Sequence, residues 1–362
     1  MHNPFVRLLL FFLLLAIPAE TQWWSVQSTG IDSNLRGLSI FVSQNAKGAA
    51  VPVVWASGSN GVVLRSTDEA KTWQRLEVPG GGNLDFRGVQ AVGADSAYVM
   101  SIGEGERSRI YKTGDSGATW TLQYTGDRAA IFLDAIECLS PTHCFAISDP
   151  VDGKFLLLST EDGEHWNALP REKMPAALPN EGIFAASNSS LSVGPAGEIL
   201  FGTGGPAARV FRSTDFGRNW TVSETPITHS NASAGIFSIA RLNKTLVAVG
   251  GNYKSPDEDS TVAAYSGDNG KSWRLSAEQP GGFRSAVATF DGSALSAVGS
   301  SGTDFSYDQG AHWVHTDALN LNALAFAPQL NVGWAVGPHG TIAHFQNHRR
   351  LRHPLDVTAP PQ

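Results

Sequence analysis

Three acidic side chains and one phenol define the chemistry to be weighed. Asp149 and Asp152 lie in Asp-Pro-Val-Asp-Gly-Lys, Glu181 in Asn-Glu-Gly-Ile-Phe and Tyr253 in Gly-Gly-Asn-Tyr-Lys. Two carboxylates held about 5–10 Å apart can divide acid and base work across a glycosidic bond, and a tyrosine can replace one of them as nucleophile. These four residues are the candidates for catalysis. A second set carries positive charge and amides: Arg36, Arg87, Arg209, Arg284, Asn188, Asn252 and Lys254, with Asp134 among them. Arginine presents a planar fork of donors that matches a carboxylate with two bonds. That set is suited to hold an anionic group on a protein or glycan partner.

Other chemistries lack their residues. His143, His165, His312, His339 and His344 show no metal-ligand spacing, so neither a metal nor a cofactor is expected. No H-E-x-x-H, C-x-x-C, G-x-S-x-G or G-x-G-x-x-G is present, which removes protease, thiol-redox, hydrolase-elbow and dinucleotide readings. A net charge of −7 argues against a nucleic-acid partner, which needs a dominant basic face. A chain that is 42% hydrophobic and 9% aromatic is too apolar for disorder.

The N-terminus reads as an address. Arg7 precedes the apolar run Leu8 to Ile17, and Pro18-Ala19-Glu20 follows, the pattern of a secretory signal peptide over 1–19 cut after Ala19. The run is shorter than the roughly 20 residues a membrane-spanning helix needs. A secreted or periplasmic location follows, with no transmembrane segment in the mature chain. Cys138 and Cys144 flank a Ser140-Pro141-Thr142 turn, so they can face each other across a hairpin, and in an exported chain that predicts a disulfide.

These residues must be positioned by a repeat. Ser/Thr-x-Asp-x-Gly-x-x-Trp occurs, with small departures, six times, beginning at Ser66, Thr113, Ser159, Ser213, Ser266 and Ser306. The copies end at Trp73, Trp120, Trp166, Trp220, Trp273 and Trp313. In the third copy Glu161 stands at the Asp position. A period in the forties with short β segments is the mark of a propeller. The Asp carboxylate accepts backbone N–H groups and closes a tight turn, the Gly permits positive φ, and the Trp packs between neighbouring units. Two β-rich runs precede each box strand, as in Phe86–Val92, Ser96–Ser101 and Arg109–Lys112, giving four strands per unit. After Trp313 come three more runs without a box, and Trp23-Trp24-Ser-Val-Gln lacks partners at the start. Pairing the two ends completes a seventh unit and removes exposed edges. The reading is an all-β, seven-bladed β-propeller of four-stranded antiparallel blades over residues 22–346, followed by a disordered tail at 347–362.

Alternating strand direction places the boxes on one face and the starts of the innermost strands, with the loops between second and third strands, on the other. Arg36, Arg87, Asp134 and Arg284 occupy those strand starts, and Asp149, Asp152, Arg209, Asn252, Tyr253 and Lys254 the loops or their ends. Blade 4 has a long, Pro-bounded approach from Met174 that breaks the period and carries Glu181 and Asn188 toward the same mouth.

The box resembles the Asp-box (bacterial neuraminidase) repeat, in which it is structural. That resemblance implies structural roles for Asp68, Asp115, Asp215, Asp268 and Asp308 and for the six box tryptophans. The whole mature chain resembles the photosystem II stability/assembly-factor-like propellers and their exported bacterial homologues. The segments that carry the likeness are Asp149-Pro-x-Asp152-Gly-x-Phe155, Glu181-Gly to Asn188, Arg209-Val-Phe-Arg-Ser-Thr-Asp and Gly250-Gly-x-Tyr253. It implies a non-catalytic assembly or stability factor whose Arg-lined face, here Arg36, Arg87 and Arg284, meets a protein partner. The alternative is a sialidase-like glycoside hydrolase using the same face. Sialidases carry Phe/Tyr-Arg-Ile-Pro before the first box, whereas this chain reads Leu-Arg-Gly-Leu and Phe-Arg-Gly-Val.

Overall fold

Short runs of Val, Ile, Leu and Phe stopped by Gly, Asp or Asn favour strands joined by tight turns. In the computed structural model, which describes residues 23–345, they form seven antiparallel sheets. The expected leader (1–19) and tail (347–362) lie outside the described residues. Blade 1 comprises Leu35–Gln44, Ala50–Gly58, Val63–Ser66 and Gln74–Leu76, and the other blades repeat that order. Blade 5 gains a short fifth strand, Gly204–Gly205, lent by blade 4 and paired with Asn231–Leu242. The first strands of successive blades contact one another around the ring and form its inner wall.

The ring closes between its ends. Trp24–Ser28 pairs with Thr341–Phe345 as the outer strand of blade 7, with Trp24 opposite Phe345 and Ser28 opposite Thr341. In every box the Trp directly precedes the outer strand, and Trp23 stands in that place in blade 7. Its ring lies 4.8 Å from Phe305 of blade 6 and 5.8 Å from Phe345. Blade 7 thus lacks the box turn but keeps its tryptophan. Elsewhere the box Trp also reaches the preceding blade: Trp120 meets Trp55 edge-on at 6.3 Å, and Trp166 meets Tyr98 at 6.1 Å.

The boxes work as their composition requires. Asp115 Oδ1 accepts the Thr119 N–H at 2.8 Å, and Thr113 Oγ1 accepts the Gly117 N–H at 2.9 Å. Gly117 has φ +86°, and a Cβ there would lie 2.5 Å from Leu76 Cδ1 of the preceding blade, so both turn and contact demand glycine. Asp68, Asp215, Asp268 and Asp308 accept equivalent N–H groups from Thr72, Asn219, Ser272 and His312. The third box differs from the sequence reading. Thr160 and Asp162, not Ser159 and Glu161, close it, and Asp162 accepts the Glu164 and His165 N–H groups. This turn is one residue shorter between its hydroxyl and Gly163. The Cys138–Cys144 disulfide spans the first hairpin of blade 3, with its two cysteines directly paired.

Two outcomes follow from this architecture. Trp23→Ala removes one of the two tryptophans of the blade 6–7 junction and should lower stability by about 3 kcal/mol in chemical denaturation. The second concerns acid. Hydrogen bonds from Thr72 hold the Asp68 carboxyl down at about 2, and those from Asn219 do the same for Asp215. A carboxyl depressed on folding stabilises above its unfolded value near about 4 and loses that contribution as pH falls through its folded value. Melting temperature should therefore drop between pH 4 and pH 2, and Asp215→Asn should make that part of the profile shallower.

Candidate functional site

Four of the inner strands share an irregularity at the end nearest the mouth. The register slips by one at Arg36 in blade 1, Arg87 in blade 2, Asp134 in blade 3 and Phe237 in blade 5. The bulge turns Arg36, Arg87 and Phe237 out of the ladder toward the opening, whereas Asp134 stays fully buried. Blade 6 is aligned through its box. Ala97 pairs with Thr113 and Leu295 with Ser306, so Met100 and Val298 are equivalent, and with them their partners Gly88 and Ala286. Ser285, not Arg284, is then the counterpart of Arg87.

Arg284 falls one step earlier, where blade 2 has Phe86. Phe86 packs edge-on against Tyr111 at 6.0 Å, and the residue equivalent to Tyr111 is Asp304. Blade 6 has therefore exchanged an aromatic pair for an ion pair. Arg284 and Asp304 are both fully buried and bonded to each other, and Arg284 also donates to Phe283 O and Ser301 Oγ, each at 2.8 Å. Burial draws the Arg284 guanidinium below its ordinary pKa. The expected third arginine of the mouth is thus a core residue, because an equally buried carboxylate captures it.

Arg36 and Arg87 do reach the mouth. Arg36 Nη1 donates to Ala186 O at 3.1 Å and Arg87 Nη1 to Ala185 O at 2.8 Å, while Arg87 Nε donates to Asp85 at 2.9 Å. Desolvation, then the neighbouring Arg87 charge, lowers the Arg36 pKa to about 10. Its Nε is buried with no hydrogen-bond partner among the described residues. Both arginines line a cavity of about 510 Å³ with Asn322, Ser285 and an aromatic wall. In that wall Phe184 stacks on Phe237 at 3.8 Å and Phe283 meets Phe237 edge-on at 4.7 Å. Tyr253, half exposed, stands over both Phe184 and Phe237. The sequence reading missed these three phenylalanines. Phe237 was findable, because it holds the Arg87 position of its blade.

The remaining candidates disperse. Asp149 and Glu181 line a second cavity of about 690 Å³ on the same face, walled by Phe132 and Leu178 and edged by Glu104. Asp149 Oδ1 accepts the Ile183 N–H at 2.9 Å, and burial raises its carboxyl to about 6. Glu181 is buried and taken by Arg209, which bonds it through Nε and Nη2, and by the Leu178 N–H and Thr203 hydroxyl. Asp152 sits exposed at a hairpin tip in a two-bond pair with Arg128 at 2.8 and 2.9 Å. Asn188 is buried and stitches blade 4 to blade 3, accepting the Ile136 N–H at 2.8 Å and donating to Ile136 O at 2.9 Å. Asn252 bonds Ser233 at 2.8 Å and the backbone N–H of exposed Lys254. The four catalytic candidates thus occupy three places: Tyr253 in the mouth, Asp149 and Glu181 in the second cavity, and Asp152 on the surface.

Asp134 is fully buried, and neither carboxylate oxygen has a hydrogen-bond partner among the described residues. The Asp149 N–H, which is close enough to act on this carboxyl, is bonded to Phe132 O at 3.1 Å. Burial, then the Asp149 charge, raises the Asp134 pKa well above the ordinary carboxylate range. A carboxyl raised on folding stabilises fully below its unfolded value and destabilises progressively as pH rises toward its folded value. Asp134→Asn should therefore raise the melting temperature at neutral pH and leave it unchanged near pH 3.

Fold and site together define a seven-bladed propeller with a funnel of mixed aromatic and cationic lining on the face opposite its aspartate turns. The chain belongs to the family of the DUF6242 beta propeller domain, whose model matches residues 18–294. Among solved structures it is similar to YCF48 bound to a D1 peptide, with a TM-score of 0.65 at 15% identity over 90% of this chain and 98% of the other. YCF48 from Cyanidioschyzon merolae gives 0.62 at 18% identity over 91% and 100%. These likenesses establish the fold and meet the expectation of an assembly-factor-like propeller at that level. A xyloglucanase of Paenibacillus sp is 26% identical over 59% of this chain, and Xyloglucanase Xgh74A of Acetivibrio thermocellus is 24% identical over 59%. The chain spans only 23% and 28% of the length of those relatives.

Proposed function

We propose that this protein is an exported, non-catalytic propeller that holds a segment of a protein partner in its central mouth. The observation that carries the reading is the pair Arg36 and Arg87, locked to consecutive carbonyls at the rim of an aromatic funnel. Two guanidiniums held this closely repel one another, and a carboxylate between them would relieve that repulsion. Phe184, Phe237 and Tyr253 offer flat apolar surface for a neighbouring side chain of the same segment. The likeness to a peptide-bound YCF48 supports a peptide ligand. Export rests on the leader-like residues 1–19 and agrees with the disulfide. Peptide display against the protein should enrich sequences that combine an acidic group with an aromatic or aliphatic residue. Arg87→Glu and Arg36→Glu should each abolish that enrichment, and enrichment indifferent to both would refute the reading.

A second reading, a glycoside hydrolase, is favoured by the similarity to xyloglucanases and by two carboxylates in one cavity. Asp149, raised to about 6, has the ionisation of a general acid, but Glu181 is engaged by Arg209. Release of reducing sugar from xyloglucan, lost in Asp149→Asn, would establish it.

A further inference from the structure

We propose that the second cavity is a separate binding site for a basic side chain, lysine or arginine, of a protein partner. Acidic groups around it divide into two kinds. Asp152 has Arg128, Glu181 has Arg209 and Asp85 has Arg87 within salt-bridge distance. Asp149, Asp134 and Glu104 make no ion pair among the described residues. No lysine or arginine lines the cavity. Asp149 spends one oxygen on the Ile183 N–H, and its Oδ2 has no hydrogen-bond partner among the described residues. Asp134, whose carboxyl feels the Asp149 charge, is wholly buried with neither oxygen hydrogen-bonded among the described residues. Burying an unpaired carboxylate is costly, and a cation brought to Asp149 Oδ2 compensates it.

The walls suit the same ligand. Phe132, Pro150, Leu178 and Pro179 are apolar, and Leu178 is exposed. A lysine or arginine stem lies along such a surface while its head reaches a carboxylate. A volume of about 690 Å³ accommodates a whole side chain with adjoining backbone. The approach segment of blade 4 is shared by both cavities: Gly182 lines this one, and Phe184, Ala185 and Ala186 line the mouth. A Cβ at Gly182 would lie 3.0 Å from Asp149 Oδ1, so a larger residue there would crowd that carboxylate. The face therefore presents a cationic funnel and an anionic pocket side by side, divided by that segment.

The test uses Nα-acetyl-L-lysine methylamide and its neutral norleucine counterpart, followed by saturation-transfer NMR on the whole protein. The lysine compound should show transfer to its side-chain methylenes, and the norleucine compound should bind about tenfold more weakly. Asp149→Asn should weaken the lysine compound about tenfold, because asparagine keeps the acceptor for Ile183 but removes the charge. Glu104→Gln, at an exposed site, should weaken it about twofold and serves if Asp149→Asn does not fold. An acidic, aromatic peptide that binds the mouth should not displace the lysine compound, which separates this site from the mouth. Equal binding of the two compounds, no transfer from either, or preferential binding of a neutral oligosaccharide in the same cavity would overturn the proposal.

Discussion

A sheet in this molecule has no face to spare, and that constraint governs the rest. Each blade buries both of its faces against neighbours, so seven small sheets share seven interfaces and no blade has a core of its own. The hydrophobic clusters follow this rule: one joins Trp55 of blade 1 to Val99 of blade 2, another Phe145 of blade 3 to Phe211 of blade 4. Closure by Trp24–Ser28 supplies the last interface, and the aromatic group of Trp23, Phe290, Phe305, Phe326 and Phe345 fills it. A single hydrogen-bonded strand, drawn from the far end of the chain, thus makes the wheel continuous.

Within so regular a frame, the approach to blade 4 is free to serve another purpose. Residues 177–186 do not complete a strand. They are held by the Glu181–Arg209 pair, by Asp149 beneath Ile183, and by the Ala185 and Ala186 carbonyls that the two mouth arginines claim. The arginines therefore have two roles in the free protein: they fix this segment, and the segment fixes them. Preorganisation of that kind reduces what a ligand must order on arrival. It also accounts for the separation of the acidic pocket from the funnel, since the same backbone is the wall between them.

Much of the frame was legible because a repeat states its geometry many times over. The boxes, the bladed count, the terminal strand pairing and the cysteine hairpin each follow from local patterns that the structure reproduces. The errors arose where one residue of register changes the outcome. Phe86-Arg87-Gly and Phe283-Arg284-Ser look alike, yet the first arginine reaches the mouth and the second the core. What distinguishes them lies in the third strand, Tyr111 against Asp304, and no local pattern links residues so far apart. Asp162 displaced Glu161 for a similar reason: its shorter side chain fits a turn in which only Gly163 has positive φ. The aromatic wall was hidden because Phe184, Phe237 and Phe283 belong to blades 4, 5 and 6 and meet only after the ring forms.

The Arg284–Asp304 pair carries a consequence for how the chain sorts its own repeats. Near-copies of one unit invite wrong neighbours during folding, a known hazard of repeat chains. Most blade interfaces are apolar packing, which by itself discriminates weakly between near-copies. An apolar strand from another blade could not be exchanged here, because either charge left alone in the interior costs several kcal/mol. The pair therefore works as a lock and key inside one blade: it gives little net stability in place of Phe86 and Tyr111, and in return it gives blade 6 an address that the other repeats do not share.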